Sequence, residues 1–456
     1  MSLLKFESML KTNSVYFFDL VEFEEIIIHY LDVGKISLAK KAVKLGLEQH
    51  PESTDLKLLM VEIYVIDNDI EKASKLLKRI ALLEPNNEEV YIQKAAISSK
   101  KGKHKEALEY LEKALQLTED KVDVWSLLGM EHLYLDNFTE ARENFMKCVS
   151  EDDEDYAALY NIVYCFDMEE LHDEAIEYLT NYVDKKPYCE VAWHQLGRQF
   201  FIKENYKDAL RAFDYAVLID ESFIGGYLEK AKTLEALGNY QDAVDNYLIT
   251  IELDDPTAFV YTRIGECYEK LDRLDAAAAY YKKAVHEDPL LDKCWFLLTN
   301  LYYTDKNYQK AAYYLAKALK IDEDNALYWR RYAQINLQLN FYEEALSGFR
   351  NCLKLEDQSL EIYIGLSDVL SFLGSYKEAL KYVLLANEKY HNLAEIAYRL
   401  SGLYFIEGAE KKALDVLIKG MQIDYEYHFI LKEIFPSVYD NTKVQQLLIN
   451  FKKATE

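Results

Sequence analysis

Residues 258–291 read AFVYTRIGECYEKLDRLDAAAAYYKKAVHEDPLL, and this stretch decides the fold. Tyr261, Ile264, Gly265 and Tyr268 stand at its positions 4, 7, 8 and 11, and Ala277, Tyr281 and Ala284 at 20, 24 and 27. Both sets follow the helical period, so each marks one face of a helix. Pro289 at position 32 ends the second helix, because proline lacks the N–H that would continue it. The stretch is predicted to form a helix, a tight turn and a second helix packed back on the first.

Working outward, alanine recurs at 39, 73, 107, 141, 175, 209, 243, 277, 311, 345, 379 and 413, twelve positions 34 residues apart. Placing each alanine at position 20 starts repeats 1 to 12 at 20, 54, 88, 122, 156, 190, 224, 258, 292, 326, 360 and 394. Position 24 is then always large and apolar, from Val43 to Leu417, and position 27 is mostly small, as in Gly46, Cys148 and Ala318. All four tryptophans, Trp125, Trp193, Trp295 and Trp329, occupy position 4. Position 15 is Gly or Asn in seven repeats, the residues that tolerate a left-handed helix end. Lys57, Lys94, Lys230, Ile80 and Tyr182 depart from the expected core types and read as edge or adapted packing positions. No single hairpin can bury both apolar faces, so stability must come from stacking on neighbours, with caps at the ends. Residues 1–19 are expected to be an N-terminal lead-in or cap. Residues 428–456 are expected to be a degenerate thirteenth hairpin, since Leu447 stands where alanine is due and Pro436 interrupts the first helix.

Composition agrees with nearly continuous helix: 456 residues hold only 15 Gly and 6 Pro, with 38 Tyr. Lys plus Arg number 53 against 79 Asp plus Glu, a formal charge of -26. That balance keeps a long exposed array soluble and repels nucleic-acid phosphate and anionic lipid, so neither is expected as a partner. The opening MSLLKFESMLKTNS is broken by Lys5 and Glu7 and is not expected to act as a secretory leader. No run approaches the apolar length that crosses a bilayer. The six cysteines show no CxxC pair, which points to a reducing, cytoplasmic setting.

The columns of residues 258–291 resemble the tetratricopeptide repeat family, whose pattern of large-4, Leu-7, Gly/Ala-8, Tyr-11, Ala-20, aromatic-24, Ala-27 and Pro-32 is nearly complete there. The likeness covers residues 20–427. It implies an all-α, right-handed superhelical solenoid of antiparallel helix hairpins, acting as a non-catalytic scaffold for a peptide or protein segment. It also implies that positions 2, 5, 9 and 12 of the first helix line the groove that holds the ligand. Over the twelve repeats these positions hold twelve acids and four bases, Arg198, Lys232, Lys293 and Arg330. The groove is therefore expected to be acidic toward both ends and mixed in the middle.

Exposed Tyr, Phe and Arg supply large contact area and planar hydrogen bonding at interfaces. The candidate binding residues are Tyr160, Tyr164, His194, Arg198, Phe201 and Lys232 in repeats 5 to 7, and Phe296, Asn300, Tyr303 and Arg330 in repeats 9 and 10. Arg198 and Arg330 are expected to grip a carboxylate or backbone carbonyls. The plainer alternative is that the rings pack on adjacent repeats and the cations pair with neighbouring carboxylates. The clamp of co-chaperone members, which begins with Lys at position 5, has no counterpart: position 5 is never Lys, and Asn300 at position 9 follows Phe296.

No catalytic constellation, cofactor or metal is expected. The nine histidines lack metal-ligand spacing, His132 stands in the aromatic core column, and phosphate-loop and nucleophile-elbow motifs are absent. An active-site loop would also break the 34-residue count, and no insertion occurs. Two other readings compete with the scaffold: a helical-repeat protein of an RNA-processing complex, which the charge disfavours, and a regulatory subunit of an enzyme complex.

Overall fold

A computed structural model describes residues 2–12, 16–254 and 257–455. Residues 1 and 13–15 of the expected lead-in and residue 456 of the expected C-terminal hairpin lie outside the described residues. Among the described residues there is no strand. Every repeat contributes a helix A starting at its position 1 and a helix B starting at position 17, from Leu20–Asp32 and Ile36–Gln49 in repeat 1 to Ala394–Ile406 and Glu410–Ile423 in repeat 12. Side chains at position 34 cap several A helices: Ser53, Asn87, Asp155, Thr257 and Asn325 each accept a hydrogen bond from a backbone N–H of the first turn.

The turn between the two helices is more uniform than its sequence. Position 15 has a positive φ in all twelve repeats, although five of them place Asp136, Glu170, Glu204, Asp272 or Lys306 there. In each case the N–H of position 16 reaches the carbonyl of position 11, as Leu171 does to Phe166 at 2.9 Å, closing the helix end. Tertiary context holds these five residues where their own preference opposes it, at a cost of about 1 kcal/mol apiece.

All twelve position-20 alanines have 0% exposure. The position-24 side chain enters the space that a small position 8 leaves free: a Cβ on Gly129 would come within 2.6 Å of the Phe145 ring, and one on Gly197 equally close to Phe213. In repeats 3, 6, 9 and 10, position 4 ties the repeat to the one before. The indole N–H groups of Trp193, Trp295 and Trp329 donate to the position-32 carbonyls of Pro187, Pro289 and Glu323 at 2.7–3.0 Å, and the Tyr91 hydroxyl does the same to Pro85.

Where the pattern departs from type, the structure shows how. Ile80 is buried, and Tyr182 buries its ring while its hydroxyl donates to the Asp153 carbonyl. Lys230 pairs with Asp214 at 2.8 Å, Lys94 lies 4.5 Å from the Tyr91 ring centre, and Lys57 approaches Glu52 at 3.8 Å.

The chain divides into two compact units, Met1–Thr233 and Leu234–Glu456, with the boundary inside helix A of repeat 7, Ile224–Ala236. In the first unit a helix at Ser2–Thr12 sets Phe6 against Phe18, Phe23 and Tyr30, ring centres 5.9 to 6.5 Å apart. In the second, the chain after repeat 12 forms short helices at Phe429–Ile434 and Pro436–Tyr439, then a longer one at Thr442–Thr455. Pro436 breaks the first part, and Leu431, Phe435, Val444 and Leu448 join the apolar cluster of repeats 11 and 12.

Candidate partner-binding site

The first unit carries six of the residues singled out in the sequence. Tyr160 and Tyr164 lie open at 42% and 48% exposure. His194 is set between Phe213 and Phe223, with ring centres 5.8 and 5.1 Å away. Burial pushes its pKa down to about 4, helped by Arg198 and Lys232 against the opposing pull of Glu229, so the ring is neutral near pH 7 and its Nδ1 has no partner. Arg198 donates to Gln195 at 3.0 Å, Lys232 to Glu229 at 2.7 Å, and Phe201 meets Tyr206 edge-on.

The second unit treats its four differently. Phe296 is 8% exposed with its ring 4.6 Å from Tyr328, so it is a packing residue and offers no open ring, contrary to expectation. Its position 5 on helix A is covered because repeat 10 supplies a tyrosine opposite it. Arg330 holds carboxylates of its own chain, Asp357 and Glu361. Tyr303 lies under the Arg331 guanidinium at 4.4 Å, and the half-buried Asn300 leaves its Oδ1 unpartnered. The plainer alternative thus describes Phe296, Arg330 and Lys232, whereas Tyr160 and Tyr164 remain open surface.

Sequence reasoning missed a cleft on the helix-A face. Repeats 2 to 4 frame a cleft of about 830 Å³ with apolar walls, among them Leu59, Val65, Ile92 and Met130. Glu62, Glu89, Asp123 and Glu131 also line it, against one lysine, Lys100. Glu131 is engaged by His104 at 2.8 Å. Among the described residues Glu62, Glu89 and Asp123 have no ion pair. Burial raises the Glu62 and Glu89 carboxyls above the usual range; Asp32 adds to this at Glu62, and Glu62, Glu88 and Asp123 at Glu89, against a Gln93 hydrogen bond that lowers it. Glu24 in repeat 1 is raised likewise, by burial and by Asp55, and one of its oxygens is buried without a partner.

The same face in the second unit is rich in acids too, but there most of the charges are met. Arg263 bridges Glu235 and Glu266, Lys293 reaches Glu266 at 3.2 Å, and Arg399 grips Asp368 with two bonds of 2.7 Å. Arg263 and Arg399 both stand at position 6 of their repeats, as does Arg331. In repeats 2, 3 and 4 position 6 is Leu59, Gln93 and Leu127, all three on the cleft wall. That column lay outside the positions read for the groove, yet it was the signal that distinguishes an acid already paired from one left open.

Models of the tetratricopeptide repeat match residues 30–97, 88–121, 126–188 and 228–291. A TPR repeat-containing protein of Methanocaldococcus jannaschii is 22% identical over 379 residues, 81% of this chain and 62% of that one. The BBSome complex member BBS4 of Bos taurus is 21% identical over 367 residues, 80% of this chain and 70% of that one. Among solved structures, the TPR protein YrrB, described as having an unusual peptide-binding site, aligns with TM-score 0.36 at 14% identity, over 41% of this chain and 96% of that one. Together, the family models on both compact units and a 34-residue register kept through twelve repeats establish that this chain belongs to the tetratricopeptide repeat family.

Proposed function

We propose that this protein is a non-catalytic scaffold that holds a segment of another protein on the helix-A face of its repeats. The observation that carries the reading is the open cleft of repeats 2 to 4, a concavity of about 830 Å³ with apolar walls, in which Glu62, Glu89 and Asp123 have no ion pair among the described residues. Clefts of this size, apolar with a few polar groups, are the usual form of a binding site. The BBSome relative, named as a member of a complex, is in keeping with an assembly role. The cysteines give no support to chemistry: all six are buried, and burial pushes the Cys148 thiol up to about 11 and Cys267 up to about 12, the reverse of a nucleophile's environment.

Crosslinking in the native cell with mass-spectrometric identification tests this. The expected result is a partner whose crosslinks map to helix-A residues. Crosslinks confined to the B helices and loops overturn the reading, as does turnover of a substrate by the purified chain alone.

A further inference from the structure

Column 6 of this chain contains its own demonstration of what helix-A carboxylates bind. In repeats 8 and 12 an arginine at position 6 reaches back to an acid of the preceding repeat, Arg263 to Glu235 and Arg399 to Asp368. Glu62 stands at position 9 of repeat 2, the place Asp368 holds in repeat 11, and the side chain due to reach it is Gln93. Gln93 carries no charge, and one N–H of its amide is engaged by Glu89 at 2.8 Å. It is only 5% exposed, forms part of the cleft wall, and its Oε1 has no hydrogen-bond partner. A buried acceptor left without a partner is costly unless a donor arrives from elsewhere. Two half-buried carboxylates without a cation, a buried amide oxygen without a donor, and an apolar chamber beside them are three independent vacancies at one place. A cationic side chain on an apolar stem fits all three, since the stem packs on Leu59, Ile92 and Val65 while the charged head meets the acids.

We infer that the cleft of repeats 2 to 4 takes a protein segment presenting an arginine or lysine beside aliphatic or aromatic side chains, its cation standing where position 6 elsewhere supplies an arginine of the chain itself. The inference rests on the scaffold reading and adds the chemistry of the partner. Charge complementarity favours this occupant over a second copy of the chain, which carries -26 overall.

The test is a phage-displayed library of random 12-residue peptides selected on the full chain, with binders measured by fluorescence anisotropy. Enrichment of Arg or Lys next to Leu, Ile or Phe is expected, and exchanging that arginine for citrulline, of the same shape without the charge, weakens binding by about tenfold or more. Glu62→Gln with Glu89→Gln has the same effect. Gln93→Arg, which installs the internal cation of the other repeats, abolishes binding. Circular dichroism melting confirms that each variant is folded, and a Glu395→Gln control leaves binding unchanged. Binders that carry no cation, or that ignore both the carboxylate variants and Gln93→Arg, overturn this inference while leaving the scaffold reading standing. Self-association detected by sedimentation and lost in Gln93→Arg assigns the cleft to a second copy and overturns it also. A selection that recovers no binder, together with crosslinks that avoid the helix-A face, removes both.

Discussion

The acids of the helix-A face divide evenly between the two compact units, yet they meet opposite fates. Glu24, Asp55, Glu62, Glu89, Asp123 and Asp167 belong to the first unit, and among the described residues only Asp167 is approached by a basic residue, His172 at 3.7 Å. Glu235, Glu266, Glu269, Glu361, Asp368 and Glu395 belong to the second. There four are in ion pairs, Glu269 accepts the Tyr281 hydroxyl at 2.9 Å, and Glu395 has no ion pair among the described residues. Equal numbers of carboxylates therefore build a closed electrostatic system in one unit and an unfinished one in the other. The difference lies in who supplies the cation. Counting charge along a face reveals its sign, and only the pairing reveals whether any of it is left for a partner.

The largest expected effect comes from opening the closed system. Arg399→Met strips the cation from Asp368, whose carboxyl burial already pushes up against the pull of Arg399, and destabilises the second unit by about 3 kcal/mol. Adding Asp368→Leu restores most of that loss, because the buried charge goes with its partner. Denaturant unfolding of the single and double variants checks this, and equal losses in the two would break the comparison. Closing the open system is the converse and smaller experiment. Gln93→Arg raises the stability of the first unit by about 1 kcal/mol, read as a rise in melting temperature; a fall means that the Glu62 site cannot accept what the Asp368 site does.

The open acids of the cleft and the paired Asp357 also differ in the sign of their pH response. Glu62 and Glu89 have raised folded-state values, so the folded state binds protons more tightly and gains stability as the pH falls through them from neutral. Burial would raise Asp357 too, but hydrogen bonds from Arg330 and Ser359 hold it below the usual range, so its contribution is present near neutrality and lost only as the pH drops through that lowered value. Between about pH 7 and 5, wild type should gain melting temperature relative to the Glu62→Gln/Glu89→Gln variant. No relative change would show that those carboxyls titrate normally.

A smaller effect should be the same in both units. Glu170→Gly in the first and Lys306→Gly in the second relieve a positive φ and each stabilise by about 0.5–1 kcal/mol in thermal melts. Smallest of all is the change in stability on substituting Tyr164 and Arg198 by Ala, expected within about 0.5 kcal/mol because Tyr164 is open and Arg198 donates to the Gln195 amide three residues away. Partner capture by that variant then decides whether the open tyrosines belong to the binding surface.

The fold was legible because its determinants are local and periodic. A buried alanine every 34 residues, a large side chain four positions on and a tryptophan at position 4 each have one physical job, and each recurs. The turn was legible only where glycine or asparagine advertised it; Glu170 and Lys306 adopt the same backbone without the signature, since the packed helices on either side dictate it. The site was legible in sign and not in place. Tyr160 and Tyr164 were read as open and are. Phe296 was read the same way, but its exposure depends on Tyr328 in the next repeat, which no rule confined to one repeat can see. Arg330 failed as a free cation for a like reason, since Asp357 reaches it from the turn after helix B of its own repeat. The open acids of the cleft are marked by position 6, a column on the same helix that lies outside positions 2, 5, 9 and 12.

The bond from position 4 to the preceding repeat has a consequence for how such a chain can change. Trp193 and Trp295 donate to the carbonyl of a proline, and Trp329 donates to that of a glutamate with the same geometry. The fastening addresses main chain only, so it is indifferent to which side chain its neighbour carries. A 34-residue piece that carries Trp or Tyr at position 4 can therefore meet a compatible acceptor on a neighbour of different sequence. Length and content of the array are thereby free to drift separately, and a column such as position 6 can alternate between arginine and leucine without loosening the joints that hold the repeats together.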